Sequence, residues 1–153
     1  MLKAKDIMTT QVITAAPDLP VEKLAALLWE NKIGGVPVVD TEGKLLGVAT
    51  ENDLIDQAKN IHIPTVISIL DSFVFLESPQ KMDKEFEKMT GRVVGDICSK
   101  ELITVDEDTP FNEVATIISE KKVHTLPVLA NGKIAGVIGK SDLIRAISQG
   151  HGP

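Results

Sequence analysis

Two kinds of apolar spacing alternate along the chain, and each marks a different element. Val21, Leu24, Ala25 and Leu28 recur at the interval of one helix face, while Glu22, Lys23, Glu30 and Lys32 fill the polar side. Phe111, Val114, Ala115 and Ile118 do the same, opposed by Asn112, Glu113, Glu120 and Lys121. Asp18 and Asp108 precede Pro20 and Pro110, which predicts an acidic cap with proline in the first turn of each helix. Short apolar runs predict a hairpin after each helix. Residues 36–39 turn through 40–44 into 45–49, and residues 126–129 turn through 130–133 into 134–138. Asn131-Gly132 is a strong turn signal, because both residues tolerate positive φ. Residues 12–14 and 102–105 read as extended, and helices from about Glu51 to Ala58 and from about Lys140 to Ser148 close the pattern. The predicted order is β-α-β-β-α, twice, an α/β (α+β) fold.

The two patterns are copies. Asp6-Ile7-Met8 returns as Asp96-Ile97-Cys98, Ile13-Thr14 as Ile103-Thr104, and Val36-Pro37-Val38-Val39 as Leu126-Pro127-Val128-Leu129. The run from Gly47 to Ile55 (GVATENDLI) returns from Gly136 to Ile144 (GVIGKSDLI). Such a duplication predicts two half-domains about a pseudo-twofold axis, with a ligand cleft between them. The halves occupy residues 1–59 and 92–149, and 150–153 reads as a frayed tail. Residues 60–91 have no counterpart. Pro64 is expected to start a short helix bearing Val66, Ile67, Ile69 and Leu70; Phe73-Val74-Phe75-Leu76 looks extended; Ser78-Pro79 opens a helix with Met82, Phe86 and Met89 on one face, ended by Gly91. This insert is too apolar for a loose linker. It packs over an edge of its own chain or contributes to a homodimer contact.

Composition narrows the function classes. With 153 residues and 43% apolar content the chain is globular, and it contains no apolar run near the roughly 18 residues that span a bilayer. The N-terminus lacks the apolar core of a signal peptide, and the single cysteine, Cys98, forms no internal disulfide, so a reducing cytoplasm fits best. A net charge of −6 argues against nucleic-acid and membrane partners. Cys98 matches Met8 in the other copy and is expected to pack rather than react. His62, His124 and His151 are scattered without metal-ligand spacing, and no nucleophile motif or phosphate-binding glycine loop occurs, so neither catalytic nor metal residues are expected. Trp29 lies on a helix where it packs or meets a partner.

The doubled unit, its apolar-Pro-Val step and its Gly-apolar-apolar-x-x-x-Asp-Leu ending resemble the cystathionine β-synthase (CBS) domain, over residues 3–58 and 92–147. Two in tandem resemble a Bateman module. The resemblance implies a pseudo-twofold disc whose clefts bind AMP, ADP, ATP or S-adenosylmethionine. It also implies a regulatory, often dimeric, non-catalytic protein acting on an unidentified protein target.

Adenosine ligands need an apolar slot for the base, acceptors for the ribose and donors for phosphate. In the cleft built mainly from the first repeat, Asp53 can accept from both ribose hydroxyls, with Thr50 beside it. Ile13 and Ile33 can sandwich the base, and Gly34 and Gly35 admit its edge to the backbone. Met8 and Gln11 join by the resemblance, and His124 and Thr125 from the other repeat are expected to face the phosphates. Each residue has a plainer role: Asp53 as a helix cap, Thr50 as a strand end, the glycine pair as a tight turn, His124 as a packed or solvated histidine. The second cleft has Ile103, Val123, Thr125 and Asp142, but Gly139 replaces the hydroxyl residue. It is therefore expected to bind more weakly; Lys140 and Arg145 are expected on a solvated helix face. The alternative is a structural dimerisation domain whose clefts take no ligand.

Overall fold

The computed structural model describes residues 1–59 and 92–150, together with the backbone of 66–69 and 72–75. In chain order the elements are α1 (Ala4–Ile7), α2 (Val21–Asn31), β1 (Gly35–Val39), β2 (Leu45–Thr50), α3 (Glu51–Ala58), β3 (Val66–Ile69), β4 (Ser72–Phe75), α4 (Val94–Ile97), β5 (Val105–Asp106), α5 (Phe111–Glu120), β6 (Leu126–Ala130), β7 (Lys133–Ile138) and α6 (Lys140–Ser148). Both predicted hairpins form: β1 pairs with β2 and β6 with β7, antiparallel and with a register shift at matching places, Val38/Val39 and Val128/Leu129. At the second turn Asn131 (φ 53°) and Gly132 (φ 79°) both adopt the left-handed conformation that this dipeptide favours.

Each half has its own apolar core, and each core takes a piece of the other half. Leu24, Leu28, Val36, Val38 and Ala49 of the first repeat close around Val94 of α4. Phe111, Val114, Ile118, Leu126, Val128 and Ile138 of the second close around Ala4 and Ile7 of α1. The backbone records the same exchange. Ala4 N donates to Thr109 O (2.8 Å) and Lys5 N to Glu107 O (3.0 Å); in mirror fashion Val94 N donates to Leu19 O and Gly95 N to Pro17 O, both at 2.8 Å. The two halves are therefore interleaved through short N-terminal arms, which a repeat-by-repeat reading does not anticipate.

The exchange also explains where expected details differ. Asp18 and Asp108 do not cap α2 and α5; Pro20 and Pro110 occupy the cap positions themselves. The first amide of each helix is satisfied by the opposite arm, Val21 N by Arg92 O (3.1 Å) and Phe111 N by Leu2 O (2.9 Å). Asp108 instead meets Lys3 and Lys5, each at 3.4 Å. Residues 12–14 form no strand, since the arm leaves β7 at Thr9 and rejoins its own repeat only where Ala15 bridges Val38. In the second repeat the equivalent strand is two residues long, β5, parallel to β6. The stretch expected as a helix after Pro64 is a strand, β3, antiparallel to β4, in keeping with the β-branched Val66, Ile67 and Ile69. The extended reading of 73–75 agrees with β4. The expected helix between Ser78 and Gly91 and the tail 151–153 lie outside the described residues.

Candidate functional site

Glycine is what lets the arms cross. At Gly136 on β7, a side-chain carbon would lie 2.5 Å from Met8 Sδ and 2.9 Å from Thr9 O. At the matching Gly47 on β2 it would collide with Ser99 O. Without side chains there, Thr9 pairs with Val137 (N to O 2.8 Å and 3.0 Å) and Ser99 with Val48 (3.0 Å each way). Each arm therefore lies beside the strand that leads into the last helix of the opposite repeat.

This crossing regroups the expected site residues. One cavity of about 300 Å³ brings together Gln11, Ile13, Ile33, Gly34 and Gly35 of the first repeat with His124, Thr125, Gly139 and Asp142 of the second. The base-side wall of repeat one thus faces Asp142, where the sequence had associated it with Asp53. Thr9, Lys32, Pro37, Val137, Ile138, Lys140 and Ser141 complete the lining, and sequence reasoning did not name them as site residues apart from a solvated Lys140. The retained hydroxyl at Thr9 and Ser99 was the available signal. Met8 packs against the second-half core and over Gly136. Ile103 and Val123 also pack against that core. Thr50 and Asp53 stand on the other side, where a recess of about 30 Å³ is lined by Gly34, Thr50, Glu51, Asn52 and His124. His124 Nε2 lies 3.4 Å from Asn52 Nδ2, linking the repeats. Gly35 holds the centre: a carbon on it would lie 2.6 Å from Thr125 Oγ1 and 3.1 Å from Thr50 Cγ2.

The two carboxylates share one local geometry. Each follows a strand end and reaches back to the amide of its helix cap, Asp53 Oδ2 to Thr50 N and Asp142 Oδ2 to Gly139 N, both at 2.8 Å. Beyond that they diverge. Asp53 Oδ2 also accepts from Thr50 Oγ1 (3.2 Å), and among the described residues its Oδ1 takes no hydrogen bond. Asp142 is 5% exposed, and its Oδ1 accepts from Thr9 Oγ1 (2.9 Å) and Arg145 Nη2 (3.0 Å). Arg145 lies on an exposed helix face as expected, yet its Nη2 also spans Asp142 and Ile7 O, the latter also at 3.0 Å.

The start of α6 borders the cavity through Lys140 and Ser141, and its first amides have no partner inside the helix. In the other half, the first amide of α3 is already spent on Gly34 O (2.9 Å). Lys32 and His124 add cationic or donor groups at the rim. Among the described residues no group of three or more His, Cys, Asp or Glu side chains could hold a metal ion, and no helix is long and apolar enough to cross a membrane. A larger apolar groove of about 900 Å³ lies between α2 and α3, bordered by Leu28, Trp29, Ile33, Leu54 and Ile55.

Known proteins resemble this chain in sequence and in fold. The CBS domain family profile matches twice, at residues 4–60 and 94–149. The chloroplastic CBS domain-containing protein CBSX1 of Arabidopsis thaliana is 31% identical over 142 residues, covering 87% of this chain and 58% of that protein. The chain thus spans somewhat over half the length of such relatives. The crystal structure of CBSX2 in complex with AMP superposes with a TM-score of 0.74 at 27% identity, covering 97% of this chain and 98% of that one. The CBS domain pair of protein MJ0100, crystallised with 5′-methylthioadenosine and S-adenosyl-L-methionine, shares the fold at a TM-score of 0.74 and 22% identity, covering 98% of each chain. Two tandem copies, arms exchanged about a shared cleft, make this chain a member of the CBS domain family, in the form of a CBS pair.

Proposed function

We propose that this CBS pair is a regulatory module that binds an adenosine-containing ligand, AMP, ADP, ATP or S-adenosylmethionine, in the clefts between its repeats. The observation that carries the reading is the 300 Å³ cavity, whose walls come from both repeats at once. A ligand there touches both halves, so its binding free energy favours whichever relative arrangement it fits. Ile13 and Ile33 supply the apolar slot, Lys140, Ser141, His124 and Lys32 the anion side, and Asp142 borders the sugar side, with Asp53 at the matching place in the other half. CBSX2, the relative crystallised with AMP, aligns over nearly the full chain and supports the ligand class. The module acts without chemistry of its own; a protein target reads the change.

Calorimetric titration with AMP, ATP and S-adenosylmethionine tests the reading. Saturable binding of at least one of them is expected. A folded protein that gives no heat and no change in melting temperature with any of the three would instead be a scaffold with idle clefts.

A further inference from the structure

Asp142 lines the cavity but has little left to offer a ligand. A carboxylate has about four acceptor positions, and three here are filled by Gly139 N, Thr9 Oγ1 and Arg145 Nη2 at 2.8, 2.9 and 3.0 Å. A ribose presents two vicinal hydroxyls and needs two positions. Gly139 N is fixed by backbone, where it caps α6; Thr9 sits on the arm paired with Val137 but donates through a rotatable hydroxyl. Arg145 is the charged partner, on a long side chain that is 52% exposed while that of Asp142 is 7% exposed, so it can be withdrawn without moving the backbone. Among the described residues the other half has no such occupant. The position matching Arg145 is Asp56, an acid that pairs with Lys59 (3.4 Å), and Asp53 keeps Oδ1 clear among the described residues.

We propose that Arg145 is a specificity-determining residue that occupies the sugar acceptor of this cleft, so that the cavity beside Asp142 binds adenine nucleotides without selecting for the ribose diol. The inference rests on the adenosine-binding reading above. It also predicts that any ligand forcing a full diol contact must free Arg145 from Asp142, and with it the bond to Ile7 O at the end of α1.

The test follows the Gly139 amide by NMR, which reports this cleft and not the one at Asp53, during titration with AMP and with 2′-deoxy-AMP. In the unaltered protein the two affinities should agree within about twofold, one acceptor position serving either sugar. In Arg145→Gln, whose shorter, uncharged side chain withdraws the guanidinium from Asp142, AMP should gain about tenfold over 2′-deoxy-AMP, the worth of one recovered hydrogen bond to a charged acceptor. Arg145→Lys should behave as the unaltered protein. A strong preference for AMP before any substitution overturns the inference, as does an unchanged ratio in Arg145→Gln. Should neither nucleotide move Gly139 in any of the three proteins, the ligand reading of this cleft falls with it; binding with the wrong ratios removes Arg145's role alone.

Discussion

Cys98 shows how one position takes on two duties when a unit is duplicated. Its counterpart Met8 fills space over Gly136, and Cys98 Sγ approaches Gly47 to within 3.2 Å of where a side-chain carbon would stand. Burial pushes the thiol above its ordinary range; the charge of Lys100 pulls it down, that of Asp53 pushes it up, and a backbone hydrogen bond pulls it down again. The thiolate is the reactive form, so alkylation by iodoacetamide near neutral pH should be several-fold slower than for a free cysteine. A rate equal to that of glutathione would show an open thiol. The sign for stability follows. The folded protein holds its thiol proton to a higher pH than the unfolded chain does, so between those two values the unfolded state binds fewer protons and stability falls as pH rises. Cys98→Ala should remove that part of the alkaline loss, measured as a smaller drop in melting temperature between pH 7 and pH 9.5.

At Asp53 the observed cap is compatible with the proposed ligand role, because the cap uses one oxygen only. Oδ2 holds Thr50 N and Oδ1 stays clear among the described residues. Asp53→Asn keeps one acceptor for the cap, while Asp53→Ala loses it, so only the alanine variant should cost about 1 kcal/mol of stability in a denaturant titration. Both should weaken AMP. Equal melting of the two variants, or undiminished AMP binding in both, would contradict this division.

At the scale of elements, local pattern was enough to read the hairpins and long helices. α3 and α6 run over the expected residues, and the Asn131-Gly132 turn has the expected conformation. These features depend on neighbours in sequence, which periodicity and turn chemistry report. The arms depend on neighbours about a hundred residues away, as Ala4 on Thr109, and no period encodes that. The reassignment of the Ile13 wall from Asp53 to Asp142 follows from the same long-range exchange. Gly47 and Gly136 were visible as a repeated residue, yet their reason, the crossing backbone, was not. Gly136→Ala should therefore cost about 1–3 kcal/mol, as overpacking does, because Met8 and the Thr9 carbonyl both stand in the way. Chemical denaturation checks it, and Gly136→Ala with Met8→Ala should recover only the sulfur's share. Full recovery would mean that the arm's backbone does not constrain β7.

At the scale of the whole molecule, four of the six large apolar side chains exposed among the described residues lie on helices. Trp29 on α2 is 84% exposed beside the groove that Leu54 and Ile55 of α3 border, and Ile55 itself is 62% exposed. The duplicate of Ile55, Ile144 on α6, is 65% exposed, and Ile147 one turn on is 50% exposed. Single exposed apolar residues are ordinary, but a tryptophan at the lip of an apolar groove, with isoleucines repeated at equivalent places in both halves, has the composition of an interface core. A second copy of the chain is the occupant we expect, and its role would be to couple cleft occupancy in one pair to that in another. Sedimentation equilibrium should then give twice the chain mass at micromolar concentration. Trp29→Lys with Ile55→Lys should halve it while the melting curve of the monomer stays cooperative, since neither side chain belongs to the apolar cores. AMP binding should survive in that monomer, because the two repeats that wall the cavity belong to the same chain. A dimer unmoved by the two lysines would place the contact elsewhere, and an unaltered chain that sediments as a monomer at about 100 μM would leave this face without a self-partner, weaker than any standard interface.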